Sequence, residues 1–364
     1  MTTNYKKIFK NKKILITGHT GFKGSWLTAW LLKMGAKITG ISLNIPTQPS
    51  HFQNLKIQKK ITNYFFDLNN FKKFNKIISL VKPDFIFHLA AQALVKESYQ
   101  DPFFTFKSNT VVTLNLLEIL RNYKKKCTVV IITSDKVYKN LESKKGYREN
   151  SILGGVDPYS GSKAAAEMII HSYLKSYFNK KEKNFISIAI ARAGNVIGGG
   201  DWAKNRLIPD CMRAWSKNKK VILRNPNSTR PWQHVLEAVW GYINLASKLN
   251  KDSKLHCEAF NFGPNPKSNY PVKKIVNLMK KNWKNIKWVI EKEQNKVYET
   301  NILKLNSSKS LKLLNWKSIL SISETMNMVS DWYRNFYSKK IRKENKTLDQ
   351  ISLYEKLINK RSLK

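Results

Sequence analysis

Residues 13–42, KILITGHTGFKGSWLTAWLLKMGAKITGIS, limit the possible folds of this chain more than any other stretch. Lys13 to Thr17 is a short β-type run, and a glycine-rich turn follows it. A helical pattern then runs to Gly35, and a second β-type run covers Lys37 to Ser42. Strand, tight turn, helix and strand in this order open a parallel, doubly wound sheet. Gly18, Gly21 and Gly24 have the spacing GxxGxxG. Glycines there let the backbone turn sharply and approach a pyrophosphate, and the helix starting near Phe22 directs its free N–H groups at the anion. Glycines also serve ordinary turns, so it is the position between strand and helix that makes this a dinucleotide cradle.

Further strands are expected at YFFDL, DFIFHLA, TVVIITS and FISIAIARAG, with helices between them over Val111–Arg121 and Ser162–Tyr177. The chain is predicted to be α/β, a Rossmann-type doubly wound parallel sheet with a smaller, mixed C-terminal domain for the substrate. Residues 1–195 form the dinucleotide-binding part in this reading, with a return segment at about 232–262. Residues 196–231 and 263–337 form the substrate part. From 338 to 364 a lysine-rich tail is expected to be helical or disordered. Asp67, ending YFFDL, is a candidate contact for an adenine ring or a helix N-cap before Phe71. Dinucleotide folds often carry an acid just after the second strand to hold the ribose hydroxyls. Here that loop reads ISLNIPTQPS, with neither acid nor arginine, so it does not decide between NAD and NADP.

The apolar run Val129–Ile132 ends in Thr133, Ser134, Asp135 and Lys136. A hydroxyl, an acid and an amine therefore follow one another where a buried strand surfaces. YSGSK, about 25 residues beyond Ser134, sets Tyr159 and Lys163 four apart, on one face of a helix. An ammonium beside a phenol favours the phenolate and lowers a pKa that is normally about 10. Tyr159 is then a base for a sugar hydroxyl. YxxxK is common by chance, and an exposed tyrosine beside a solvated lysine is the plain alternative. The upstream cradle and Ser134 favour chemistry.

With these motifs in view, the sequence resembles the extended short-chain dehydrogenase/reductases, and within them the CDP-glucose branch of the nucleotide-sugar 4,6-dehydratases. The likeness runs from about Lys12 to about Tyr337. It rests on TGHTGFKGSWL, FHLAAQALV, TSDKVY, GYRENSILGGVDPYSGSK, RAGNVIGGGDWA, RLIPD, RNPNSTRPWQHVLE and FNFGP. The resemblance implies a redox-neutral elimination on CDP-glucose with NAD recycled in place. The C4 hydroxyl is oxidised, water leaves across C5 and C6, and hydride returns to C6. Tyr159 would take the C4-hydroxyl proton, Lys163 would hold the phenolate and the nicotinamide ribose, and Ser134 would bond O4. Asp135 would protonate the departing C6 hydroxyl, which requires a pKa raised by burial. Lys136 is either the C5 base, which must then be neutral, or a cation at the enolate. A structural salt bridge to Asp135 or Glu149 is its third possibility.

The resemblance also assigns Gly18, Gly21, Phe22, Gly24, Asp67, Leu89, Ala90 and Ala91 to the cofactor, with Tyr159 and Lys163. It assigns Asn195, Arg206, Leu207, Arg224, Arg230 and Glu299 to the nucleotide sugar. Arginine suits a diphosphate because its planar fork pairs with phosphate oxygens. Trp202 and Trp232 are expected either to stack on the base or to pack in the core. Trp215, His88 and His234 are read as structural. A 4-epimerase on the same fold needs serine, tyrosine and lysine only, so Asp135 and Lys136 weigh against it. A dehydratase for another nucleotide sugar is a second alternative.

The formal charge is 66 − 24 = +42. Clustered cations would suggest a nucleic-acid binder, but lysine dominates and is spread along the chain. The excess is read as compositional drift, and no nucleic-acid partner is expected. An RNA-binding protein that kept the fold is disfavoured by the intact Ser134, Tyr159 and Lys163 set. No apolar run approaches the roughly 18 residues of a membrane span, so no membrane partner is expected. Cys127, Cys211 and Cys257 lie far apart without CxxC spacing, which fits a reducing cytoplasm and no metal site. The resemblance implies a homodimer or homotetramer, paired through two helices from each subunit, one of them carrying Tyr159.

Overall fold

A computed structural model describes residues 2–143, 145–178, 185–223, 225–265, 268–279, 283, 286–290, 303–338 and 343–361. Six strands succeed one another up to residue 193: β1 (Lys13–Thr17), β2 (Lys37–Ser42), β3 (Thr62–Phe65), β4 (Phe85–His88), β5 (Cys127–Ile132) and β6 (Ile186–Ala193). A seventh, Ala259–Phe262, comes from the second half and pairs with β6. All seven are parallel, in the order 3-2-1-4-5-6 and then Ala259–Phe262. The order reverses between β1 and β4, and a doubly wound sheet binds its ligands at the carboxyl ends of the strands beside such a reversal.

The strands are nearly continuous apolar runs because helices cover both faces. Alternation still sorts the side chains. Ile14, Ile16, Val130 and Ile132 enter one core with Trp26, Trp30, Leu236 and Val239. Leu15, Val129 and Ile131 enter the other with Leu116, Leu117 and Ile170. Helix Phe22–Lys33 lies on the first face, and helices Val112–Arg121 and Pro158–Tyr173 belong to the second.

The helix carrying Tyr159 begins four residues before the start expected from periodicity. Asp157 caps it, accepting from the Ser160 amide at 3.0 Å, and Pro158 occupies the first turn, where a missing N–H costs nothing. Beyond β6 the described residues make three small two-stranded ladders, and one pairs Gln233–His234 with Val196–Ile197. The lysine-rich last stretch forms the helix Lys343–Arg361, which buries Ile351, Tyr354 and Ile358 against the core that holds Trp30.

Candidate active site

The cradle is a close backbone contact. Gly18 has φ +75°, and a Cβ on it would lie 2.8 Å from the Ala90 nitrogen. A Cβ on Gly24 would lie 2.1 Å from the Gly18 oxygen, so neither position tolerates a side chain. Gly21 begins helix Phe22–Lys33 without any side-chain cap, which leaves first-turn N–H groups free for an anion. Thr17 ties β1 to the segment after β4: its carbonyl accepts from Leu89 N at 3.0 Å and its hydroxyl from Ala90 N at 3.2 Å. Gly18, Gly21, Phe22, Gly24, Leu89, Ala90 and Ala91 thus line the ends of β1 and β4. This cradle fits a dinucleotide such as NAD, because a pyrophosphate needs bare backbone and free amides.

Asp67 stands exposed after β3, and its carboxylate accepts from the Asn69 amide at 2.9 Å. Asn70, not Asp67, caps helix Phe71–Val81, because its Oδ1 reaches the Lys73 amide at 3.0 Å. In place of the acid sought after the second strand, β2 ends in a neutral polar network. The His19 ring lies 2.9 Å from both the Ser42 hydroxyl and Asn63 Oδ1. Burial holds that imidazole below its usual pKa.

At the end of β5, Ser134 enters a one-turn helix, Asp135–Val137, and its hydroxyl accepts from the Lys136 amide at 3.2 Å. The same hydroxyl donates to Asp135 Oδ1 at 3.0 Å and is hydrogen-bonded to Tyr159. Asp135 is buried, and the residue just after β6 crowds it: a Cβ on Gly194 would lie 2.8 Å from its Oδ2. Burial raises its pKa; Lys136, the Ser134 hydrogen bond and Lys23 pull the other way. Ser134, Asp135 and Tyr159 therefore form one cluster, with Lys136 half-buried beside it and Lys163 buried one turn beyond Tyr159 on the same helix.

Two electrostatic expectations need correcting. Burial pushes the Tyr159 phenol up, whereas the YxxxK spacing suggested that it would be lowered. The hydroxyl lies in a low-dielectric wall, and the downward pulls come from Ser134 and Arg206. Lys163 is itself pushed down to about 8 by burial and by the Lys23 charge, so it is a weaker cation than a solvated lysine.

On the substrate side, Arg206 pairs with Asp201 at 3.0 Å and acts electrostatically on Tyr159. Leu207 begins helix Leu207–Trp215 and packs on the core. Asn195 is exposed just beyond β6. Arg230 lies on the strand Thr229–Pro231, farther along the chain. Arg224 and Glu299 lie outside the described residues. Trp202 and Trp232 are core residues rather than stacking platforms. Trp202 packs within 5.6 Å of Trp332 and 4.7 Å of Phe336, and the Trp232 indole donates to the Tyr270 carbonyl at 2.9 Å. Trp215, His88 and His234 are buried as expected, and burial holds both imidazoles neutral, pushed down to about 3.

Three site residues escaped the sequence reading. Asp201 orients Arg206, and the Tyr242 phenol feels the charges of Tyr159 and Asp135. Lys23 stands inside the glycine cradle, where only its neighbours drew attention.

The chain is similar to known proteins over most of its length. The family model for GDP-mannose 4,6-dehydratase matches residues 15–329. A CDP-glucose 4,6-dehydratase of Salmonella typhimurium is 42% identical over 332 residues, 90% of this chain and 92% of that protein. Among solved structures, a UDP-glucose 4-epimerase of Thermotoga maritima superposes with a TM-score of 0.77 at 21% identity, covering 90% of this chain and all of that one. A UDP-glucuronic acid 4-epimerase of Bacillus cereus, in complex with UDP-glucuronic acid and NAD, gives 0.76 at 22% identity over 89% of this chain and 100% of that one. The cradle, the seven-stranded sheet and the near full-length matches lead to one conclusion: the chain belongs to the NAD-dependent epimerase/dehydratase family.

Proposed function

We propose that this chain dehydrates CDP-D-glucose to CDP-4-dehydro-6-deoxy-D-glucose. The observation that carries the reading is Asp135, a buried acid with a raised pKa, hydrogen-bonded to the serine of the Ser134, Tyr159 and Lys163 set. Oxidation and reduction at one carbon need only that set, whereas expelling a hydroxide needs a proton donor as well. The 42% identical dehydratase supports the same substrate.

Gly18, Gly21, Phe22, Gly24, Leu89, Ala90 and Ala91 would hold NAD, which would supply hydride exchange between C4 and C6. Every proton is moved by the chain. Tyr159 removes the proton of the C4 hydroxyl, and Ser134 holds O4 as it becomes a carbonyl. Lys163 and Arg206 supply positive charge around the phenolate. The new ketone acidifies C5. Asp135 gives its proton to the C6 hydroxyl, which leaves as water. Lys136 takes the C5 proton or holds the enolate as a cation. Arg206, Arg224, Arg230, Asn195, Leu207 and Glu299 receive the nucleotide diphosphate, and Asp67 receives the adenine. The protein works in the cytoplasm as a homodimer or a dimer of dimers.

The test is purified protein with CDP-glucose and catalytic NAD, followed by the alkaline absorbance of a 4-keto sugar and by product mass. Loss of one water, with no net reduced cofactor and no turnover of dTDP- or UDP-glucose, is the expected result. A 4-epimer of unchanged mass would overturn the reading.

A further inference from the structure

We propose that Glu167 and Arg192 are a positioning pair: they clamp both ends of the turn that carries Ser134, Asp135 and Lys136, and set it against Tyr159 and Lys163. The inference rests on the dehydratase reading above for the duties of those residues. Tyr159, Lys163 and Glu167 follow one another at helical spacing along one face of helix Pro158–Tyr173. Just after β5, the Thr133 hydroxyl donates to Glu167 Oε1 at 2.5 Å. Arg192, on β6, grips the same carboxylate: its Nε lies 2.9 and 3.0 Å from the two oxygens, and its Nη2 donates to Oε2. Arg192 Nη1 donates at 2.7 Å to the hydroxyl of Tyr138, just past the turn. Thr133 and Tyr138 thus bracket Ser134, Asp135 and Lys136, and one ion pair holds both brackets.

Further hydrogen bonds fix the brackets. The Thr133 amide donates to the Ala191 carbonyl at 3.0 Å, beside Arg192. The Tyr138 hydroxyl donates at 2.7 Å to Asn261 Oδ1, and Asn261 is the residue of strand Ala259–Phe262 that pairs with Arg192. The Glu149 carbonyl accepts from Arg192 Nη1 at 2.9 Å, and its carboxylate accepts from the Asn261 amide at 2.8 Å. Glu167 and Arg192 are 0% and 1% exposed, so the network is closed to water. A buried ion pair adds little stability over an apolar pair of the same volume, because both charges are desolvated. What it supplies here is directional registry between the end of β5, β6 and the Tyr159 helix. Oxidation at C4 requires Ser134 and Tyr159 to meet the same O4, and a misplacement of about 1 Å can cost roughly 10²-fold in rate. Glu167 and Arg192 act through the turn and the helix, not on the sugar.

Removing either charge endangers the fold, so the experiment removes a hydroxyl that the pair holds. Wild type, Thr133→Val and Thr133→Ser are compared with CDP-glucose and NAD, well below the Tm of each protein. Val keeps the shape of Thr133 without its donor. With Val, kcat and the single-turnover rate of C4 oxidation, read as reduced-cofactor absorbance, are expected to fall about tenfold or more. KM for sugar and cofactor should stay within about twofold. Ser restores the donor and should recover C4 oxidation to within about threefold of wild type. Tyr138→Phe frees the other end of the turn and gives the same reading should Val impair folding. A lowered Tm with kcat unchanged would overturn the inference, because the pair would then hold the fold alone. A raised KM with kcat intact would overturn it too, as would a loss that Ser does not recover. Should wild type oxidise C4 and release no water, the dehydratase reading falls, and the same C4 signal still tests the clamp. A wild type that neither oxidises nor dehydrates the sugar would overturn both.

Discussion

Asp135 is where one residue separates elimination from simple redox exchange. Asp135→Asn is expected to keep C4 oxidation, seen as transient reduced cofactor, while water loss slows about 10²- to 10⁴-fold. In wild type the dehydration step should fall as pH rises through the raised pKa of Asp135, since only the protonated acid donates. A flat profile for that step would remove Asp135 from the role. Behind the site, Arg192 and Glu167 form an ion pair that is 1% and 0% exposed, and Arg192 also donates to the Tyr138 hydroxyl at 2.7 Å. Arg192→Met leaves Glu167 buried without its partner and should cost roughly 3–5 kcal/mol in a denaturation series. The proximity of Ser134, Asp135 and Tyr159 was legible because each stands in a short pattern whose spacing has a chemical meaning. Asp201 was not, since nothing in the spacing of GDWAKNR says that this acid holds Arg206.

At the scale of elements, the strands at Lys13–Thr17 and Lys37–Ser42 were read to the residue, because glycine turns bound the two apolar runs. The seventh strand, Ala259–Phe262, was harder: it joins the sheet from far along the chain, and periodicity does not carry pairing at that distance. The lysine-rich tail is the clearest lesson. Its composition left helix and disorder open; it is the helix Lys343–Arg361, which directs Tyr354 onto Glu237 and Glu355 onto Trp30. Glu237 is buried, accepts from the Ile319 and Leu320 amides at 2.9 and 2.7 Å, and is pushed up to about 7 by burial. A carboxyl whose pKa rises on folding favours the fold at low pH. That contribution is full below its unfolded value of about 4.5 and is lost as pH rises through about 7, roughly 3 kcal/mol in all. Glu237→Gln should therefore lose less thermal stability between acidic and neutral pH than wild type does. An unchanged slope would mean that Glu237 is charged throughout.

At the scale of the whole molecule, the +42 charge surrounds a cleft whose own groups are cationic. A nucleotide sugar carries two phosphates, so kcat/KM should fall with added salt while kcat holds. If salt leaves kcat/KM unchanged, the charge plays no part in capture. Phe103, Val111 and Met168 are exposed on the neighbouring helical segments that include the Tyr159 helix, and apolar side chains of this size suit a subunit interface. Met168→Glu with Phe103→Glu should shift the protein to a monomer in sedimentation; an unmoved oligomer would place the contact elsewhere. The docking of helix Lys343–Arg361 has a further consequence for manufacture in the cell. The ribosome delivers the cradle helix early and its cover much later. Until then Trp30 has the stacked Trp240 ring but lacks Tyr354 and Glu355, so chains cut short before that helix present part of an indole surface to chaperones and proteases.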